Sequence, residues 1–278
     1  MQARSAVFDY ARLAGAVMVL VGHAYVLLGL QPPTIAGTGI HEIGVKLFFA
    51  ISGYLIAASW TTDPQFWRFA EKRARRIMPA LLVVVAATVF VVGPIMTTAP
   101  DYWRDPVTWR YLWRNSLLLP FHSLPGVFGD NPLPAVNGSL WTLPVEAFCY
   151  VLTPALVMAR APLCIALAVA LLAFPFTGEV AGFGLAGASN VIPWFLIGAA
   201  ARQLGVKAPA VRLPALPVDL SYGLYLTAFP VTQIVIAMKP QISAPALIAV
   251  VTAYCLPLAW LSWTFVERPA IRMRSTTA

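Results

Sequence analysis

Three stretches of this chain place ionisable side chains inside apolar sequence, where each is costly unless it has a partner or a task. In FDYARLAGAVMVLVGHAY, Arg12 and His23 lie eleven residues apart. At 3.6 residues per turn that is almost three full turns, so both side chains emerge on one helical face, about 16 Å apart along the axis. An imidazole held neutral at such depth is a base able to take a hydroxyl proton. The plainer readings are a histidine hydrogen-bonded to a neighbouring helix and an arginine that anchors a helix end.

In RFAEKRARRIMP, Arg73 and Arg76 are three residues apart and share a face of a third helix. Paired guanidinium groups grip phosphate through bidentate, charge-assisted hydrogen bonds. Ordinary enrichment of cations on the cytoplasmic side accounts equally well for that run taken alone. In NGSLWTLPVEAFCYVL, Glu146 falls inside a fourth helix beside Pro144. A carboxylate there needs water or a cation, and a salt bridge to Lys46 or to an arginine is the plain alternative to a site. His41 and His122 fall near outer loops and receive no catalytic role. Glu267 beside Arg268 reads as an ion pair at the inner surface.

The elements that must hold these groups follow from composition. Of 278 residues, 59% are hydrophobic and 11% charged, and mean hydropathy is +0.76. Soluble domains carry roughly 25% charged residues, so the chain reads as an all-α, polytopic transmembrane bundle. Apolar stretches that approach the bilayer length fall near Phe8–Leu30, Ile43–Trp60, Ile77–Thr97, Leu140–Ala159, Ala161–Thr177, Ser189–Ala201, Val218–Met238 and Ile242–Val266, the second and sixth being short. That predicts about eight spanning helices in a single domain over residues 1–278.

The stretch Val107–Pro120, with Trp109, Arg110, Trp113 and Arg114, is amphipathic and predicts an interfacial segment. It sits in a long outer loop, Thr98–Ser139, with room for a re-entrant element. With the N-terminus inside, about fourteen of the 19 Lys and Arg fall on the cytoplasmic face and about five outside. Both termini are then cytoplasmic, and the first apolar run is a retained span rather than a cleaved signal. The basic residues lie in short inter-helix loops, which argues against nucleic-acid binding. Cys149, Cys164 and Cys255 lie in apolar segments at no ligand spacing and read as small buried hydrophobes, with neither a disulfide framework nor a metal site. A secondary transporter or flippase-like carrier would also place Arg, His and Glu in a bundle, but no repeat with matched broken helices is visible.

Six segments in order resemble the membrane-bound acyltransferase 3 family of O-acyltransferases. FDYARLAGAVMVLVGHAY carries an Arg-x10-His like the family's. IGVKLFFAISGYLIAASW resembles its GVxxFFxxSGxL segment, and KRARRIMPA its Arg-x-x-Arg pair. NGSLWTLPVEAFCYVLTP, DLSYGLYLTAFPV and TFVERPAIR resemble its NGxLWxLxVE, ISYxLYLxHxP and FxExP segments. The resemblance implies transfer of an acyl group, usually acetyl, from cytoplasmic acyl-CoA to a carbohydrate or glycoconjugate hydroxyl, in a bacterial cytoplasmic membrane. It implies cofactor contacts at Arg12, Arg73 and Arg76, with Ser52 and Gly53 letting backbone approach the ligand. It implies His23 as base or acyl carrier, Glu146 as orienting or acceptor-binding group, and Trp141 and Tyr222 at the acceptor. No metal is implied.

Three features depart from the family pattern. Its members usually have about ten helices, whereas here only Gly205–Asp219 separates two late helices, as though one helical pair were absent. Thr227 stands where many members have a histidine. A soluble SGNH-type extension, used by some members, is not seen.

Overall fold

The first expected span forms as α1 (Ala6–Leu27), in a computed structural model whose described residues are 6–175, 179–180, 183–207, 209, 211 and 213–273, with backbone alone at 179–180 and 183–186. A small hairpin follows, β1 (Thr34–Ile35) and β2 (Thr38–Gly39). Its two turn residues, Ala36 and Gly37, both have positive φ, which matches the twist of a two-residue hairpin loop. Next come α2 (Ile40–Thr62) and α3 (Phe66–Ala87). The latter runs on through a π turn, Thr88–Val92, into α4 (Gly93–Met96). The outer loop carries α5 (Pro106–Ser116), capped by Asp105, whose side chain accepts the Val107 amide. A 3-10 turn at Gly138–Trp141 leads into α6 (Thr142–Met158), then α7 (Arg160–Ala173). The chain ends with the pair β3 (Glu179–Val180) and β4 (Phe183–Gly184), α8 (Leu185–Gln203), α9 (Ser221–Met238) and α10 (Ala244–Leu261). A second π turn, Ser262–Glu267, joins α10 to α11 (Arg268–Arg272).

The described residues are almost wholly helical, as expected, but six segments rather than eight are long and apolar enough to cross a membrane. These are Ala6–Leu27, Ile40–Thr62, Phe66–Met96, Gly138–Met158, Ser221–Met238 and Ala244–Arg272. The fifth expected span is α7, apolar but only 14 residues long; Thr177, its expected end, lies outside the described residues. The sixth is α8, at 19 residues. The third helix starts eleven residues before its expected beginning at Ile77. Hydropathy marks where charge stops, but the cationic stretch continues the same helix, with Phe69 and Ile77 buried and Trp67 exposed. The amphipathic stretch forms α5, which packs over α3 and its π turn and leaves Trp109 and Trp113 exposed.

Packing is set by small residues. A Cβ on Gly53 of α2 would fall 2.0 Å from the Phe195 carbonyl oxygen of α8, and one on Gly198 would fall 2.0 Å from that of Ala50. The two helices therefore touch backbone to backbone, the close approach small residues permit in membranes. In the opposite half, Ala16, Leu20, Ala24 and Leu27 of α1 form a stripe at helical spacing against Leu224 and Ala228 of α9 and Leu247 and Val251 of α10. Other residues of α9, Tyr222, Tyr225 and Leu226, face the larger core of α2, α3, α6 and α8, so α9 joins the two halves. All three cysteines are free and buried, as their apolar settings predict.

Both π turns end two residues before a proline, Pro94 and Pro269. In the first, the Gly93 amide bonds to the Thr88 carbonyl, and Pro94 has no N–H to offer Val89. The Tyr102 hydroxyl fills the gap, donating to the Val89 carbonyl at 2.9 Å. It occupies the space that a Cβ on Gly93 would need. The buried donor thus replaces the missing amide, and burial pushes the Tyr102 phenol up to about 12.

One side-chain amide of α9 gathers three residues of the outer loop. The Gln233 side chain donates to the Leu133 and Ala135 carbonyls at 2.6 and 2.5 Å, and its own Oε1 accepts from Asn131 at 2.8 Å. Nearby, the His122 ring sits 3.2 Å from the Asn137 carbonyl. Burial holds the His122 imidazole below its ordinary value of 6.5, and the hydrogen bond to Asn137 opposes this only in part.

Two outcomes follow from these contacts. Gly198→Leu is expected to abolish a monodisperse protein in detergent, because backbone cannot yield at that crossing; a normal elution profile would disprove the α2–α8 contact. The undocked loop binds a proton at His122 more readily than the docked loop. Docking is therefore expected to weaken as pH falls through 6.5. Amide exchange over residues 121–137 should quicken from pH 7.5 to 5.5 beyond its intrinsic pH dependence, and His122→Asn should remove that excess.

Candidate functional site

Where α1, α2, α6 and α9 converge, three small cavities follow one another and share walls. The first, about 390 Å³, is lined by Arg12, Ser52, Arg73, Arg76, Glu146 and Tyr150 among its polar groups. The second, about 450 Å³, keeps Arg12, Phe48 and Glu146 as walls and adds Thr142, Tyr222 and Tyr225. The third, about 370 Å³, shares Val45 and Tyr225 with the second and contains His23, His41, Glu42, Trp141 and Asn190. Cationic and imidazole ends therefore face a common series of spaces. Because α1 is unbroken from Ala6 to Leu27, the axial rise of about 16 Å between Arg12 and His23 holds.

At the cationic end three arginines meet three carboxylates. Arg76 is buried and committed: it donates to Asp219 at 2.7 Å and to Glu267 at 3.2 Å. Its guanidinium lies 5.7 Å from the Tyr222 ring centroid and 5.9 Å from that of Trp263. Arg12 approaches the same Asp219 oxygen at 3.8 Å. Asp219 is held in turn by the Ser221 hydroxyl at 2.6 Å, and Glu267 by Ser262 at 2.8 Å. The π turn before Pro269 carries Glu267 inward, to 1% exposure, so its partner is Arg76 rather than the adjacent Arg268. Arg73 differs from both neighbours. It forms no ion pair among the described residues, its Nε is buried without a hydrogen-bond partner, and its guanidinium lies 5.9 Å from the Phe69 ring centroid.

Glu146 joins this end, not the histidine end. Its Oε1 accepts from Ser52 at 3.1 Å and from Tyr150, and it lines the two cavities that hold Arg12. It does not line the His23 cavity, because α6 carries Glu146 a full turn beyond Trp141 and Thr142. Gly53 is also relocated. Its open face meets the Phe195 backbone of α8, so it packs helices, while its neighbour Ser52 faces the cavity. Tyr222 lines the middle cavity and donates to the Ile77 carbonyl at 2.9 Å. Thr227 turns away, donating to the Gly223 carbonyl at 2.8 Å and lining an apolar groove between α3, α9 and α10.

At the other end, the His23 ring lies 5.6 Å from that of His41 and 5.2 Å from Phe229, which it meets edge-on. Trp141 lines the same cavity. Tyr225 stands between this space and the middle cavity. Its hydroxyl donates to the Ser139 carbonyl at 2.8 Å and accepts from Thr142 at 2.6 Å. The sequence reading missed His41 and Asp219, whereas Tyr225, read with Tyr222 as a packing or lining group, does line these spaces. His41 was set aside as a loop residue, although it opens α2 directly after the hairpin. Asp219 could have been found as the single acid heading DLSYGLYL, a helix start facing a cationic run.

The chain matches a family profile described as an acyltransferase domain over residues 6–266. It is similar to an O-acetyl transferase of Shigella phage Sf6, 38% identical over 152 residues, which covers 54% of this chain and 45% of the phage protein. It is similar to nodulation protein 10 of Rhizobium leguminosarum bv. viciae, 26% identical over 349 positions that take in 97% of this chain and 94% of the relative. Similarity to a peptidoglycan O-acetyltransferase of Listeria monocytogenes is 29% over 126 residues, 42% of this chain and 20% of that protein. The chain thus spans less than half the length of the phage and Listeria relatives. No solved structure matches.

The different surroundings of Arg73 and Arg76 separate their expected roles. Arg76→Met leaves Glu267 buried without its cation and Asp219 with the more distant Arg12 alone, a change that costs about 3–5 kcal/mol, and should lower the thermal midpoint sharply. Arg73→Met removes no ion pair and should leave the midpoint near that of the unaltered protein. Equal shifts would contradict the assignment of Arg76 to the network.

Proposed function

This chain belongs to the acyltransferase 3 family of membrane O-acyltransferases, and on that premise we propose that it moves an acyl group, acetyl in the first instance, from cytoplasmic acyl-CoA to a hydroxyl of a carbohydrate or glycoconjugate. The observation that carries the reading is the series of three adjoining cavities, cationic at one end and lined by imidazole at the other. An acyl-CoA is anionic at its nucleotide and carries its thioester at the end of a long arm. A ligand of that shape fits a passage with charge at one end and a base about 16 Å away.

In this reading Arg73, which has no carboxylate of its own, and Arg12 bind the donor phosphates by charge-assisted hydrogen bonds. Arg76 acts differently from the first expectation. Held by Asp219 and Glu267, it positions Tyr222 and the wall of the middle cavity. Ser52 and Glu146 border the path of the arm, and Trp141 and Tyr225 shape the space in which the acceptor meets the thioester. There the acceptor oxygen bonds to the acyl carbon as its proton leaves for an imidazole. The C–S bond breaks with its electron pair on sulfur, and a proton returned to sulfur yields free thiol and ester. His23 is the imidazole assigned to this proton traffic.

The acceptor class is supported by the Listeria relative, whose name specifies peptidoglycan O-acetylation. Counting α7 and α8 as crossings gives eight, with both termini on the cytoplasmic side of a bacterial inner membrane and lipid around the bundle. One helical pair is missing in this reading between about 205 and 219; the alignment to nodulation protein 10 runs over about 70 more positions than this chain has residues, so sequence present in that relative has no counterpart here.

Purified protein in lipid nanodiscs is expected to release thiol from acetyl-CoA. His23→Ala should lower that rate by roughly 10²–10⁴-fold, the usual contribution of a general acid or base. Unaltered release in the variant would remove His23 from the chemistry, and no release by the unaltered protein would refute the donor.

A further inference from the structure

The imidazole end of the passage holds two histidines, and the mechanism above uses only one. His41 lines the same cavity as His23, with ring centroids 5.6 Å apart. Each has a buried Nδ1 with no hydrogen-bond partner among the described residues. Buried polar atoms in native proteins are nearly always paired, so two orphans on rings that line one space point to a group that comes and goes.

The surroundings of His41 are shaped to hold its ring there. A Cβ on Gly22, the residue before His23, would fall 2.5 Å from the His41 Cβ and 2.8 Å from its Nδ1. A Cβ on Gly39 would fall 2.7 Å from its Cε1. Glycines of α1 and of the hairpin thus cradle the ring from two sides. The groups facing it are His23 from α1, its own neighbour Glu42, Asn190 from α8, Trp141, and Tyr225 from α9. Glu42 is shared, 3.7 Å from Lys46 and 3.5 Å from the Asn190 amide, and no group there is hydrogen-bonded to the His41 Nδ1. His41 lies in the first turn of α2 and His23 one turn before the end of α1. His41 is therefore the outermost of the pair.

The geometry points to His41 as a second catalytic residue, the base that meets the acceptor hydroxyl while His23 serves the thioester. This rests on the acyltransferase reading and adds a division of labour to it. The His41 ring takes the hydroxyl proton as the oxygen bonds to the acyl carbon. The C–S bond breaks with its electron pair on sulfur, His41 passes the proton to neutral His23, and His23 hands it on to the departing sulfur. One proton has moved from oxygen to sulfur, and both imidazoles are restored. No further reactant is required.

The test uses full-length protein in nanodiscs, acetyl-CoA as donor and water as acceptor, with thiol release as the readout. His41→Gly is expected to lower the rate at least 100-fold, and millimolar imidazole, entering the vacated space, is expected to restore at least a tenth of it. Unchanged release from His41→Gly overturns the proposal, and so does a slow variant that imidazole does not rescue. Gly39→Ala keeps the imidazole but displaces it from its cradle, and covers the case in which His41→Gly does not fold. A rate at least tenfold down is expected, and an unaltered rate again overturns the proposal. Loss of release in His23→Ala together with a normal rate in His41→Gly would sink this inference and leave the acyltransferase reading standing. An unaltered protein inert towards acetyl-CoA would sink both.

Discussion

The bundle depends on a buried ionic cluster. Arg76 of α3 holds Asp219 at the head of α9 and Glu267 at the end of α10's π turn, and Arg12 of α1 reaches the same Asp219. Four elements distant in sequence thus meet at one set of charges. In a low-dielectric surrounding such a cluster is tolerable only when every charge has a counter-charge and the remaining lone pairs are hydrogen-bonded. The hydroxyls of Ser221 and Ser262 complete that requirement here. Arg73, three residues before Arg76, lines the same cavity as Glu146 and forms no ion pair among the described residues.

The remainder of the molecule keeps that cluster connected to the imidazoles. The backbone contact of Gly53 with α8 and of Gly198 with α2 brings α2 close enough for Ser52, Phe48 and Val45 to line successive cavities on its other side. The α9 helix, packed on two sides, contributes Tyr222 and Tyr225 to the walls. The outer loop docks on α9 by way of Gln233 and Asn131. One helix, α1, carries Arg12 and His23 in rigid register, so the distance between charge and base is fixed by covalent geometry rather than by packing.

Helical character, membrane setting and the alignment of Arg12 with His23 were legible before any fold was known. Each depends on local facts: apolar run length, charge depletion, and the 3.6-residue period. Boundaries were less legible where charge and apolar sequence overlap, and α3 begins well before the hydropathy reading places it, because the cationic stretch continues the same helix. The two π turns were not legible at all, since they arise from a missing proline amide and, in the first, from a tyrosine hydroxyl that comes from outside the helix to replace it.

What the sequence determined by itself was the inventory of costly groups and which of them share a helix. Only the tertiary structure decided their partners, because pairing between helices depends on depth and rotation, and neither is encoded in a local window. Depth placed Glu146 with Ser52 and the arginines rather than with His23, and brought Glu267 inward to Arg76 instead of Arg268. Rotation turned Gly53 towards α8 and Ser52 towards the cavity. The hairpin turned His41, which reads as a loop residue in sequence, directly onto His23. An ionisable residue within a span identifies itself by its cost, but the group that compensates it is chosen by the packing of the whole bundle.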